Sequence, residues 1–292
     1  MAPDSLPKAE ANSLGLLRKL RWPDGFVCPR CGNRRGWPVR ELLECSACGH
    51  QTSLTAGTIF AGTKAPIRQW FRMAWMMAED LAPLSVREVQ EEVGFASYQT
   101  AWAWMHKFRR VMRPVDGETL SGKVEAGVMV LSVGGEAREL AGTDRFEFRA
   151  ALGYSGAGAI TGVRIERISD SPDYLDAFIR RVAEPSSEVL LVGTGDRPSS
   201  DWPRPPGEGF RRIGESFRAW LSHRHLAYVS AEHFDHYVDE FVFKCPQVNE
   251  KRGVRFERLL RRSMGVPPVP YRQLVASRRL AQHQRSSTQT SP

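Results

Sequence analysis

Four of the five cysteines fall within 21 residues, as Cys28-Pro-Arg-Cys31-Gly and Cys45-Ser-Ala-Cys48-Gly. Two residues separate the thiols of each pair, which places both sulfurs on one side of a tight knuckle. Gly32 and Gly49 supply the positive φ that each knuckle needs. Four thiolates make a closed tetrahedral shell for zinc, so the ion is expected to be structural, with no open position for catalysis. A redox pair would need one CxxC at a helix start, and disulfides are not expected in a reducing cytosol. The fifth cysteine, Cys245, stands beside Pro246 without metal-type neighbours and reads as a plain thiol. Arg30, Arg34, Arg35 and Arg40 surround the pairs, where they favour thiolate charge and suit phosphate. Modules of this kind bind nucleic acid, bind proteins or only stabilise a fold, and the cysteines do not choose among these.

A second candidate lies in the helices that follow. The stretch 66–78 carries Ile67, Trp70, Phe71, Ala74, Trp75 and Ala78 on one wide apolar face. Ser85 and Glu88 form a capping box for the next helix, and Gly94 closes it. Ser97 caps a third helix over 98–110. Two helices around a Gly-containing turn read as a helix-turn-helix-like segment. On its second helix Gln99, Thr100, His106, Lys107, Arg109 and Arg110 suit a DNA major groove, with His106 expected at the surface. The alternative is an ordinary helical hairpin with Trp102 and Phe108 in its core.

The rest of the chain must position these groups. Of 292 residues, 41% are hydrophobic and 25% charged, which predicts a globular fold with a sizeable core. No apolar run approaches the ~20 residues of a membrane span, and the first ten residues are polar. A cytoplasmic protein is therefore expected. The net charge of +8 is unevenly spread: +6 over 1–115, −7 over 116–250 and +9 over 251–292. Basic ends suit a polyanion, because phosphate neutralisation releases counterions. Short β-like runs at 123–133, 146–152, 159–168 and 188–192 alternate with an amphipathic helix over 173–183. Helical pattern resumes at 210–221 and 231–243. The fold class expected is α+β, a mixed α/β arrangement, divided into a lead (1–25), a zinc module (26–60), a helical DNA-binding segment (61–115), a mixed-sheet domain (116–250) and a basic, partly disordered tail (251–292).

Together these residues resemble bacterial insertion-sequence transposases of the ISXO type. The matching stretches are Cys28-Pro-Arg-Cys31-Gly, Cys45 to Gly49, Thr55-Ala-Gly-Thr-Ile-Phe60, Thr100-Ala-Trp with His106-Lys107, Gly122-Lys-Val-Glu125, Gly134-Gly135-Glu136, and Tyr237-Val-Asp239-Glu240-Phe241-Val-Phe-Lys244. The resemblance covers roughly residues 15–250. It implies a zinc ribbon and a DNA-binding helical segment ahead of an RNase H-like DDE domain. It also implies double-stranded DNA as partner, action as a multimer, and two Mg²⁺ or Mn²⁺ ions held by carboxylates for cleavage and strand transfer.

The carboxylates do not all carry over. Gly127 stands where the resemblance places the first aspartate, and Thr194 where it places the second. Glu125, Asp196 and Glu215 are the nearest acids, each displaced from the family position. The expectation is a transposase-family DNA-binding protein with a degenerate DDE site and no strand transfer. The alternatives are an active DDE transposase that uses the displaced acids, and a zinc-ribbon protein that binds RNA or protein.

Overall fold

The computed structural model describes residues 12–40, 42–115, 117–132, 145–168, 175–194, 205–222, 233–245, 250–251 and 253–274. Asp196, the 134–136 run and the tail beyond 274 lie outside the described residues. In chain order the elements are α1 (Ser13–Arg21), β1 (Gly36–Val39), β2 (Leu42–Cys45), β3 (Gln51–Ser53), α2 (Ile67–Glu79), α3 (Val86–Val93), α4 (Tyr98–Met112), β4 (Lys123–Ser132), β5 (Arg145–Tyr154), β6 (Ile160–Arg167), α5 (Leu175–Val182), β7 (Glu188–Thr194), α6 (Glu208–Leu221), α7 (Phe234–Lys244) and α8 (Val254–Ser263). They form two compact units. One holds Met1–Asp80, Leu84–Val111 and Lys251–Pro292; the other holds Leu81–Pro83 and Met112–Glu250.

In the first unit β1, β2 and β3 make a small antiparallel sheet in that order. The helices form where local signals demand. Ser85 Oγ accepts from the Glu88 N–H at 3.1 Å while Glu88 Oε2 accepts from the Ser85 N–H at 2.8 Å. Gly94 ends α3 at φ 76°, and Ser97 Oγ accepts from the Thr100 N–H at 3.2 Å. The apolar stripe of α2 meets α4 through Trp70 and Trp104, stacked 3.3 Å between centroids. α8 packs on α1 and α2, and Phe256 meets Phe71 and Trp75 edge-on at 5.8 and 5.3 Å. The buried Glu79 carboxylate accepts from the Phe256 N–H at 3.1 Å and from Arg255 at 3.4 Å, so one acid caps α8 and pairs a cation. Part of the stretch expected as a tail is thus a packed helix.

The second unit is built on a four-stranded sheet of order β6-β5-β4-β7. β4, β5 and β6 run antiparallel in sequence, and β7 returns parallel to β4. Alternate residues of each strand face opposite sides. Val124, Ala126 and Ala151 face α5 through Phe178 and Val182. Met129, Phe148, Leu152 and Val192 face Phe210, Ile213, Phe217, Val238 and Phe241 of α6 and α7. Inside α7, Glu240 and Lys244 form a buried ion pair at 2.7 Å, with the ammonium 5.1 Å from the Trp220 ring centroid and 3.3 Å from the Ala82 carbonyl. No helix among the described residues is long and apolar enough to cross a membrane.

Candidate metal centre and the carboxylate positions

Two matching knuckles bring the cysteines together. The Gly32 N–H donates to the Cys28 carbonyl at 2.9 Å and the Gly49 N–H to the Cys45 carbonyl at 3.0 Å. Both turns need the left-handed backbone that Gly32 (φ 72°) and Gly49 (φ 68°) adopt. The ligand atoms of all four cysteines lie within 4.8 Å of one another. The Sγ separations are 3.7 Å for Cys28–Cys48 and 3.5 Å for Cys31–Cys45. A tetrahedral ion with Zn–S bonds of about 2.3 Å requires S···S edges of about 3.8 Å, so the set fits zinc.

Second contacts tune the sulfurs. Burial opposes ionisation of Cys45, but the Asn33 amide and the N–H groups of Ala47 and Cys48 outweigh it and bring the thiol down to about 6. The Asn33 N–H also favours a thiolate at Cys31, yet the neighbouring Cys48 and Cys45 push that thiol up to about 12. Four crowded sulfurs cannot all ionise by themselves; a divalent cation supplies the charge that makes all four thiolates.

The DNA-binding candidates divide. Arg30, Arg34 and Arg35 are exposed around the metal centre, and Gln99, Thr100 and Arg110 are exposed on α4. Lys107 is half-buried, its ammonium 5.6 Å from the Trp70 ring centroid, and burial lowers its pKa. His106 and Arg109 are each 1% exposed, which corrects the expectation of a surface His106 and a groove-facing Arg109. The reason is that α4 is enclosed on nearly all sides after its first turn. Ala101, Ala103, Trp104, Met105, Phe108, Val111 and Met112 are buried too, and His106 lies 4.2 Å from the Trp102 ring. A helix covered on most of its surface is an internal helix, and beyond its first turn Arg110 is exposed while Trp102 and Lys107 are half-buried.

Among the described residues of the second unit, the two candidate acids Glu125 and Glu215 do not converge. Glu125 is buried on β4, and its Oε2 accepts from the Tyr154 hydroxyl at 2.9 Å. Burial, the bond to Glu125 and the charge of Glu125 all raise the Tyr154 pKa. A Cβ added to Gly207, the N-cap of α6, would strike the Glu125 carboxylate, so this acid sits at the start of α6. Glu215 is exposed on the same helix, eight residues on and so about 12 Å along its axis. Among the described residues no three carboxylates lie close enough to share a metal ion. Asp196 is not described.

Gly127 occupies a closed position. It pairs with Val192 of β7, and a Cβ built on it would overlap the Val192 carbonyl oxygen. That obstacle is backbone and cannot rotate away. Tyr154, the partner of Glu125, had no signal in the sequence, because the pair is 29 residues apart and meets only across the β4–β5 ladder.

Comparison with known proteins bears on the metal centre first. Residues 8–51 match the model of the transposase zinc-ribbon domain found in the IS1595 family. A curated relative, an uncharacterised protein in the transposable element ISH50 of Halobacterium salinarum, is 25% identical over 139 residues. That match covers 45% of this chain and 45% of the relative. No solved structure matches. The N-terminal module is therefore a transposase zinc-ribbon domain, and the chain is distantly related to an insertion-sequence protein.

Proposed function

We propose that the chain is a DNA-binding protein of the insertion-sequence transposases, of the ISXO type, whose RNase H-like domain has lost its two-metal site. The transposase zinc-ribbon match, resting on four sulfurs at zinc-binding separation, carries the reading. The sheet supports the finer part: three antiparallel strands, a helix, then a strand parallel to the first. Gly127 and Thr194, the positions at which the resemblance places two aspartates, fall on neighbouring parallel strands two residues apart in register.

DDE chemistry needs two hard cations about 3.5–4 Å apart, held by converging oxygens. Gly127 offers no side-chain oxygen, and the Val192 backbone leaves no room for a side chain that would. Glu125 is engaged with Tyr154, and Glu215 points from another part of α6 into solvent. The described residues do not fit Mg²⁺ or Mn²⁺. DNA binding remains the function, through Arg30, Arg34 and Arg35 with Gln99, Thr100 and Arg110.

The test is fluorescence anisotropy of the zinc-loaded full chain on a duplex flanking its own gene, across a salt series. Each phosphate contact contributes about −0.9 to the slope of log K against log salt. Replacing Arg30, Arg34 and Arg35 by Gln is expected to flatten that slope. Binding that is absent, or indifferent to salt, would reject the reading.

A further inference from the structure

The zinc ribbon displays one tryptophan where a fold would ordinarily hide it. Trp37 is 49% exposed, whereas the other described tryptophans are buried or half-buried. Its ring has no aromatic or hydrogen-bonding partner among the described residues. Trp37 stands on β1, an edge strand of the three-stranded sheet. Its support is rigid. Gly36 is packed so closely on the Phe26 ring that a Cβ there would meet it at 2.9 Å, and Trp22 braces Phe26 edge-on at 5.2 Å. Gly36 also pairs with Cys45, a ligand of the metal centre. The strand that carries the exposed ring is thus tied to the metal centre through its backbone.

The charge of the module indicates the ligand of the ring. Arg30, Arg34, Arg35 and Arg40 are all exposed on the same small module. Exposed cations and an open aromatic face on one module are the combination that holds a strand by its phosphates and stacks its bases. Across the sheet the register sets Trp37 opposite Glu44, and Glu44 opposite Gln51. These three share the outer face, since Leu43, Cys45 and Thr52 between them are buried. Directly opposed residues stand about 4.5–5.5 Å apart at Cβ, within reach of a base lying on the indole. The Gln51 amide donates to Glu44 Oε2 at 2.9 Å, which orients the carboxylate.

We infer that Trp37 and Glu44, with the exposed arginines of the same module, form a pocket for one unpaired nucleobase of a DNA strand. This rests on the DNA-binding reading above and adds a ligand to it. The indole supplies the stacking face, the arginines hold the flanking phosphates, and Glu44 reads the edge of the base. A carboxylate only accepts hydrogen bonds. Guanine presents it with two adjacent N–H donors, whereas thymine flanks its single N–H with two carbonyl oxygens. The pocket therefore favours guanine over thymine.

The experiment compares three duplexes of one sequence by anisotropy with the zinc-loaded full chain: fully paired, with one unpaired guanine, and with one unpaired thymine. The guanine duplex is expected to bind tightest. Trp37→Ala is expected to lower affinity for it about ten- to a hundredfold, with less than about a threefold change on the paired duplex. Trp37→Phe restores part of the loss. Glu44→Gln is expected to shrink the preference for guanine over thymine while stacking persists. Zinc stoichiometry and thermal melting, measured on each variant, confirm an intact ribbon. If wild-type protein binds all three duplexes equally, or Trp37→Ala weakens them equally, the pocket is refuted while DNA binding stands. If no duplex binds, both readings fail. A Trp37→Ala variant that alters self-association and no DNA affinity would reassign the ring to a protein contact and overturn the inference.

Discussion

Replacing Gly127 by alanine should destabilise the second unit, against the usual direction of the change. Glycine inside a strand ordinarily costs about 0.5–1 kcal/mol relative to alanine, so the substitution normally stabilises. Here the added methyl overlaps the Val192 carbonyl oxygen, an atom of the paired backbone. Relief requires β4 and β7 to separate by an ångström or more. Overpacking of this kind costs about 1–3 kcal/mol, and each ladder hydrogen bond stretched adds about 1 kcal/mol. The net expectation is a loss of about 2–4 kcal/mol. With a urea slope of about 1–3 kcal/mol per molar, the midpoint of this unit should fall by about 1 M or more. Hydrogen exchange should show the loss first in the amides of β4 and β7. Gly127→Asp should be worse, because it adds a carboxylate on the face that α6 covers. Alanine at 127 that leaves the midpoint unchanged or raises it would refute the claim that this position is closed to a metal ligand.

Other outcomes follow from the same geometry. Cys28→Ser or Cys48→Ser is expected to abolish stoichiometric zinc and unfold the ribbon; retained zinc in an elemental assay would count against a four-sulfur site. Arg109→Ala is expected to lower stability, since Arg109 is buried, whereas Gln99→Ala with Arg110→Ala should weaken duplex binding at unchanged stability. The reverse pattern would restore Arg109 to the DNA surface. Burial, reinforced by Asp235 and Glu166 and opposed by Arg113, raises the Asp239 carboxyl to about 7. Between the ordinary value of 3.8 and about 7 the folded unit then holds one proton more than the unfolded chain. Its contribution to stability is full below the lower value and is lost as pH rises, by up to about 4 kcal/mol. Asp239→Asn should flatten that decline; an identical pH profile would show that another group titrates.

The sequence told most where the cause is local. The Ser85–Glu88 box, Gly94 and Ser97 act within one turn, and each stands where its chemistry requires. Knuckle spacing likewise announces a metal shell, because two residues between cysteines leave the sulfurs few places to go. What stayed hidden depends on distant partners. His106 and Arg109 look like a basic recognition surface until the fold buries their side of α4. The arginines of α8 mask Phe256, Leu259 and Leu260, whose spacing marks an apolar stripe that only α1 and α2 explain. Gly127 reads as a missing ligand, but that its site is shut follows from Val192, 65 residues away.

The most direct measurement is Mn²⁺-dependent nicking of the DNA flanking the gene by zinc-loaded full-length protein. An Asp196→Ala, Glu215→Ala double variant serves as control. Salt-dependent binding of that DNA with no nicking is expected, with no difference between wild type and control. Nicking by the wild type that disappears in the control would show that the displaced acids form a working site, and would contradict a DNA-binding protein with a closed carboxylate position.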